Sequence, residues 1–241
     1  MSTACFWQTD IHSHLVPGID DGVADFGQSL ICLQQLAAWG IRHVITTPHV
    51  NRDWYPNTSA TLRESRAGLQ TLITENNLPL TIDVAAEYLL DDFFPQLLEA
   101  DDLLTFGAER YLLIEIGWSS APHFMEDILF RIQTKGYQPI LAHPERYRYY
   151  HENMPGLAKL RETGCLFQLN WPSLTGQYGA SVQKQARKLL ELEWVDFIGS
   201  DIHRPASLDA LSRLFASSDY KKLSQQPLRN QRLYPENSPQ A

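Results

Sequence analysis

The sequence predicts an α/β fold closed as a TIM-like (β/α) barrel in a single domain, and three observations carry that expectation. Apolar strand-like runs alternate with helix-like segments along almost the whole chain, which implies a parallel sheet, either open or closed. Nearly every strand-like run ends in a potential ligand: His12 and His14, His49, Glu87, Glu115, His143, Asn170, and Asp201 with His203. A barrel gathers all strand C-termini on one face, whereas an open sheet would spread these residues along too long an edge. Finally, the 241 residues contain no Pro/Ser linker to mark a boundary, and α/β barrels commonly run to this length as one domain.

The first strand is expected over Phe6–Ile11, and a helix over Phe26–Trp39, with Leu30, Leu33 and Leu36 on one face and Gly40 as its stop. A β-branched run, Ile41–Thr47, is the second strand, followed by a polar helix, Ala60–Glu75. Leu80–Ala86 reads as strand, Asp91–Glu99 as a short helix and Tyr111–Ile116 as strand. Helix His123–Thr134 then stops at Gly136, before the short strand Pro139–Ala142. Helix Met154–Thr163 stops at Gly164 and leads to strand Cys165–Asn170. After a loop with Gly176 and Gly179 come helix Ser181–Leu192, strand Val195–Ser200 and a last helix, Leu208–Phe215. Residues 1–9 extend the chain ahead of the first motif, and 237–241 form a frayed polar tail. No solenoid repeat or low-complexity segment interrupts this order.

Composition narrows the function. A net charge of −8 speaks against a broad nucleic-acid or membrane-surface partner. No apolar run reaches a membrane span, and the start of the chain lacks the basic and apolar regions of a signal peptide. The default expectation is a soluble, cytoplasmic protein. Three widely spaced cysteines, Cys5, Cys32 and Cys165, do not form a disulfide framework. None is followed by arginine six positions on, the spacing thiolate phosphatases use: Trp171 stands there after Cys165 and Ala38 after Cys32. Walker-type loops and Gly-x-Ser-x-Gly elbows are also missing.

The chemistry centres on Asp10-Ile11-His12-Ser13-His14. Two histidines one residue apart on a strand project to the same side and form a clamp for a divalent metal. The pattern returns at Asp201-Ile202-His203. Read together with the strand ends, His12, His14, Asp21, His49, Glu87, Glu115, His143, Asp201 and His203 are candidate metal ligands. They are too many for one ion, so two or three ions are expected. Nitrogen and oxygen donors without thiolate suit Mn, Fe or Zn. Clustered divalent ions can clamp an anionic ester and lower the pKa of a water to make hydroxide, which fits phosphate-ester hydrolysis.

Each residue also has a plainer reading. His49 after Pro48 is ordinarily a capping or surface histidine, and Asp21 in Asp20-Asp21-Gly22 an ordinary turn carboxylate. Glu87 and Glu115 end apolar runs, where a charge must be paired; Arg42 and Arg110 are the non-metal partners. Arg146 and Arg204 can grip a phosphate bidentately or be surface arginines. The loop 51–57, with Arg52, Trp54 and Tyr55, can cover an aromatic substrate or carry aromatics without a role.

With these residues in place, the chain resembles the polymerase-and-histidinol-phosphatase (PHP) superfamily. More narrowly, it resembles the bacterial manganese-dependent protein-tyrosine phosphatases of capsular and exopolysaccharide operons. The resemblance rests on residues 10–22 (DIHSHLVPGIDDG), 46–49 (TTPH), 86–88 (AEY), 111–115 (YLLIE), 142–147 (AHPERY) and 199–203 (GSDIH). It implies a distorted (β/α)7 barrel, the PHP fold, with a trinuclear centre. In that likeness His12, His14 and Glu87 hold one ion, Glu87 bridging to a second. His143 and Glu115 belong to the inner pair, Asp21, His49 and His203 to a third ion, and Asp201 to the His12/His14 end. Arg146 and Arg204 fall where the family places arginines on the substrate phosphate. The implied partner is the phosphotyrosine tail of a tyrosine autokinase that regulates capsule or exopolysaccharide synthesis, and a monomer or weak oligomer is expected. His203-Arg204 is more compact than a common family form with several residues between the two. The competing expectations are another PHP phosphomonoesterase such as histidinol-phosphate phosphatase, a non-catalytic metal-stabilised binding module, and a metal-dependent amide hydrolase.

Overall fold

The computed structural model describes residues 5–234; the first four residues of the N-terminal extension and the frayed tail expected at 237–241 lie outside them. Nine strands run in chain order: β1 Thr9–Asp10, β2 His43–Thr46, β3 His49–Val50, β4 Thr81–Val84, β5 Glu87–Leu89, β6 Tyr111–Glu115, β7 Gln138–Ala142, β8 Leu166–Asn170 and β9 Phe197–Gly199. They form a three-stranded sheet ordered β1-β2-β4 and a six-stranded sheet ordered β3-β5-β6-β7-β8-β9. Every pairing is parallel. The architecture is a mixed α/β fold around a curled parallel sheet.

The seven strand-like runs of the sequence become nine strands because two short strands, β3 and β5, form beyond the expected ends at Thr47 and Ala86. Thr47 and Pro48 separate β2 from β3, and Ala85 and Ala86 separate β4 from β5. Pro48 has no N–H to give the ladder. Pairing resumes beyond the break, where Glu87 N–H donates to the Pro48 carbonyl at 3.1 Å. The result matters for the site, because β3 and β5 begin with His49 and Glu87, paired to each other in register.

The first strand is shorter than its apolar run suggests. Gln8 turns the chain at φ 53°, so Cys5–Gln8 is not strand. Trp7 instead packs edge-on against Trp171, with ring centroids 5.2 Å apart, and both rings are fully buried. The run serves the core. Beyond β1 the chain meets the far end of the six-stranded sheet: Ser13 bridges Ile202 in parallel, His14 N–H donates to the Ile202 carbonyl at 2.9 Å, and Asp201 N–H donates to that of His12 at 2.7 Å. The buried Asp10 carboxylate ties the same seam, accepting from the Ser200 N–H at 2.9 Å and hydroxyl at 2.6 Å.

The expected helices are present within one to three residues at each end. Phe26–Ala38 is capped by Asp25, whose carboxylate accepts from the Gln28 N–H at 2.9 Å. The final expected helix ends early, at Ser212, and tightens into a 3-10 turn, Arg213–Ala216. Two short helices, Ser218–Leu223 and Asn230–Leu233, follow in a stretch for which the sequence offered no element. The second positions fully buried Asn230, whose amide group donates to the carbonyls of Thr9 at 2.9 Å and Ile198 at 2.8 Å. A four-residue polar helix carries no periodicity to read. Among the described residues no helix is long and apolar enough to cross a membrane.

Candidate metal centre

All nine candidate ligands gather at the C-terminal ends of the strands. His12 Nε2 and His14 Nε2 point at the same place, 3.3 Å apart. Glu87 Oε2 lies 3.1 Å from the first and 3.5 Å from the second, and Asp201 Oδ1 lies 3.4 Å from each. Further out, His49 Nε2 and His203 Nε2 flank Asp21 Oδ1 at 3.5 and 3.4 Å, and the His203 ring stacks on His14 at 4.0 Å. His143 Nε2 meets the other oxygen of Glu87 at 3.0 Å.

Four overlapping groups have ligand atoms within 4.8 Å of one another: His14, Asp21, His49 and His203; His12, His14 and Glu87; His12, His143 and Asp201; and His49, Glu87 and Glu115. His49 therefore joins the inner carboxylates as well as the outer group. Asp21 is the most exposed member, with its side chain half exposed.

Backbone geometry aims several of these groups. His143 and Asp201 adopt left-handed conformations, φ 36° and 49°, at the ends of their strands. A non-glycine residue held there is strained by about 1–3 kcal/mol, and such strain collects at functional sites. Gly199 makes room for His12: a Cβ there would lie 2.6 Å from the His12 Cβ and 2.9 Å from the Gln168 amide nitrogen. Gly22 does the same for His14, whose carbonyl oxygen would sit 2.3 Å from an added Cβ.

Charge is balanced within the cluster. Burial pushes Glu87 up, but the His12 and His49 imidazoles outweigh it and hold its carboxyl well below the usual range. Asp201 is likewise held low against its burial, by His12, His203, a bond from His14 and Arg146. A bond from His203 holds Asp21 at about 2. Burial lowers His12, yet Glu87 and Asp201 raise it to about 9. His143 moves the other way: burial and the Arg146 charge lower it to about 4.

The donor set suits divalent metal ions. It combines imidazole nitrogens with carboxylate oxygens and no thiolate. His49 Nδ1 is buried 3.0 Å from Glu115 Oε1 and 3.2 Å from Glu87 Oε2 without hydrogen-bond alignment, and His143 Nδ1 is buried without any hydrogen-bond partner. Buried polar atoms left unpaired by the protein call for a ligand. The non-metal partners considered for Glu87 and Glu115 are engaged elsewhere. Arg42 donates to the carbonyls of Ala37 and Ile41, and Arg110 pairs with Asp101 at 3.6 Å while covering Tyr137.

Arg146 bonds a carboxylate of the cluster, whereas Arg204 shares a groove with Asp21, Arg146, Asp201 and His203. Arg146 Nη1 donates to Asp201 Oδ2 at 2.8 Å, and its guanidinium lies between Trp118 (4.7 Å) and Tyr178 (4.3 Å). Arg204 is exposed and lines a surface groove beside Asp21. The remaining histidines stay outside: His43 bonds Thr81, His151 bonds the Glu145 carbonyl, and His123 is exposed. The three cysteines are free and buried. Burial drives Cys5 well above the thiol range and Cys32 and Cys165 to about 12, which leaves no thiolate nucleophile.

Sequence reasoning passed over Asp20 and Gln168, which orient the ligands, and read Asn170 as a potential ligand, whereas its amide group donates to Asp201. Asp20, not only Asp21, is functional in position: Oδ2 lies 2.8 Å from His14 Nδ1 and accepts from the His49 N–H at 3.1 Å, while Oδ1 accepts from the Gly22 N–H. Gln168 accepts from His12 Nδ1 at 2.8 Å and donates to Asn170, whose amide group donates to Asp201. The available signal was alternation, since Gln168 and Asn170 are same-face polar residues in an otherwise apolar strand.

Residues 8–225 match the family model for capsular polysaccharide synthesis, CpsB/CapC. The chain is 34% identical over 194 residues to the tyrosine-protein phosphatase YwqE of Bacillus subtilis, covering 80% of this chain and 76% of that one. It is 29% identical over 201 residues to the tyrosine-protein phosphatase CpsB of Streptococcus pneumoniae, covering 80% and 82%. A solved structure described among "unique metal-dependent tyrosine phosphatases", from the work on YwqE and CpsB, superposes with a TM-score of 0.77 at 29% identity, over 91% of this chain and 96% of that chain. The fold, the convergent site and these similarities together show that the chain belongs to the CpsB/CapC family of capsular polysaccharide synthesis.

Proposed function

We propose that this protein is a metal-dependent tyrosine-protein phosphatase, a phosphoric monoester hydrolase of capsule or exopolysaccharide synthesis. The observation that carries this is the convergence of nine imidazole and carboxylate side chains in four overlapping groups, seven of them lining a cavity that Arg146 also lines. His12, His14, Asp21, His49, Glu87, Glu115, His143, Asp201 and His203 would hold up to three divalent ions, manganese first, with iron or zinc also compatible with nitrogen and oxygen donors. Bound ions supply Lewis acidity to the phosphoryl oxygens and make a water acidic enough to attack phosphorus.

The chain's own residues place the ester. Arg146 is planar, fixed between two aromatic faces, and presents N–H groups toward the carboxylate side of the cavity, a geometry suited to phosphoryl oxygens. Arg204, at the outer edge beside Asp21, meets the substrate phosphate or its flanking chain. Water adds to phosphorus and the tyrosyl oxygen departs, giving tyrosine and inorganic phosphate. Buried, neutral cysteines take no part, so no phospho-cysteine forms.

The same reading extends to architecture and partner. Backbone bonds between residues 12–14 and 201–202 support closure of the curled sheet into a distorted (β/α)7 barrel in a single domain. The substrate is the phosphotyrosine tail of a cognate tyrosine autokinase, met in the cytoplasm by a monomer or weak oligomer. The test is phosphate release from a phosphotyrosine peptide with added Mn, with and without chelator. Chelator-sensitive release is expected. No release from folded, Mn-loaded protein overturns the reading and makes histidinol phosphate the next substrate to try.

A further inference from the structure

Aromatic side chains frame the mouth of the centre. Its cavity, about 430 Å³, is lined by Trp118, Tyr55 and Trp54. Among the described residues few large apolar side chains are well exposed, and two of them, Trp54 at 78% and Trp118 at 53%, border this cavity.

Trp118 is exposed but fixed. Ile116 N–H donates to the Tyr147 hydroxyl at 3.1 Å, and the Tyr149 hydroxyl donates to the Gly117 carbonyl at 2.9 Å. Tyr147 and Tyr149, in the segment after His143, thus pin the backbone that presents the indole. The indole lies nearly parallel to the His143 ring (5.6 Å, 16°), packs on Tyr147 at 5.3 Å and backs the Arg146 guanidinium at 4.7 Å.

Tyr55 is a second ring at the mouth. Its ring stacks on His49 (5.5 Å, 15°). His49 and His143 bracket Glu87, the first at 3.2 Å from Oε2 and the second at 3.0 Å from Oε1. Each histidine carries one aromatic ring, and Trp118 and Tyr55 line the same cavity as Glu87. Asn51 sets the loop that delivers Tyr55, its side-chain oxygen accepting from the N–H groups of Trp54 at 2.8 Å and Tyr55 at 3.2 Å.

We propose that Trp118 determines specificity for aryl over alkyl phosphate esters: with Tyr55 at the same mouth, its indole forms a slot that receives the phenol ring while the phosphoryl group reaches Arg146. This inference rests on the phosphatase reading above. Aromatic rings favour offset stacked or edge-on contacts, and a ring in the slot covers faces that an aliphatic ester leaves wet. Because Trp118 backs Arg146 directly, the ring and the phosphate are recognised side by side.

The test uses the Mn-loaded full chain and two peptides identical except for phosphotyrosine or phosphoserine. Trp118→Ala is expected to lower kcat/KM for the phosphotyrosine peptide about tenfold more than for the phosphoserine peptide, mainly through KM, with Trp118→Phe recovering most of the difference. Equal losses on both peptides would show that Trp118 acts only through Arg146 or the fold, and overturn the proposal. No loss overturns it as well. Calorimetric binding of benzylphosphonate against ethylphosphonate separates this from the underlying reading. A preference for the aryl compound that vanishes in Trp118→Ala supports the slot even if wild type hydrolyses neither peptide; no such preference sinks it.

Discussion

The side-chain oxygen of Gln168 lies 2.8 Å from Nδ1 of His12, and a carbonyl oxygen can only accept, so Nδ1 carries a proton and Nε2 is the nitrogen directed at the centre. Both residues are fully buried, and the Gln168 amide nitrogen is committed to Asn170 at 2.9 Å. The orientation of the first histidine of the clamp is thus set from a strand more than 150 residues away in sequence.

Removing that partner weakens metal binding without touching a ligand. Gln168→Leu is expected to reduce Mn affinity about 10–100-fold, the usual consequence of losing the group that orients a ligating histidine. Calorimetric titration of metal into wild type and variant checks it; unchanged affinity would mean that His12 needs no orienting partner.

Arg146→Lys keeps the charge and loses the planar fork. The ammonium cannot lie flat between Trp118 and Tyr178 as the guanidinium does. A fall of about 10²–10³ in kcat/KM on a phosphotyrosine peptide is expected, the range seen when one preorganised donor to a developing charge is lost. Activity within a factor of about two of wild type would remove Arg146 from the phosphate-binding role.

Asp10 gives the fold a pH dependence of its own. Burial raises its carboxyl from 3.8 to about 6, opposed by the bonds from Ser200. Between those values the folded state holds a proton that the unfolded chain has released, so stability from this group falls as pH rises through the window. Asp10→Asn keeps an acceptor for the Ser200 N–H and removes the charge. Urea denaturation of chelated protein across about pH 4–6.5 should show a shallower decline for the variant; parallel curves would contradict the shift.

Metal binding should also stabilise the fold measurably. A ligand that binds only the folded state adds about 2.7 kcal/mol at a hundredfold excess over its Kd. Thermal melts with Mn are therefore expected to lie several degrees above melts with chelator, and His12→Ala to reduce the gap. Identical melts for wild type under both conditions would refute a metal centre.

Much of this was legible in the sequence, for identifiable reasons. Strands such as Tyr111–Glu115 and Gln138–Ala142 are continuous apolar runs because both sheet faces are covered, and each ends in or just before a polar residue that the site uses, Glu115 and His143. Where pattern and structure part, the cause is local. Phe6–Ile11 has strand composition, but Gln8 takes φ 53° and Trp7 goes to the core against Trp171. Asn230 is one polar residue in a four-residue helix, and only its bonds to Thr9 and Ile198 reveal that it closes the bottom of the sheet.

The sequence by itself determined the α/β alternation, the identity of the nine clustering side chains and their sign of charge, because strand periodicity and strand-end polar residues are local properties of the chain. Which histidine nitrogen faces the centre, that Asp20 and Gln168 orient the clamp, that Arg146 but not Arg204 pairs with Asp201, and that Trp118 and Tyr55 line one cavity emerge only once the chain is folded. Those relationships join residues dozens to more than a hundred positions apart, and their angles depend on two strand breaks and two left-handed strand ends that no pairwise spacing encodes.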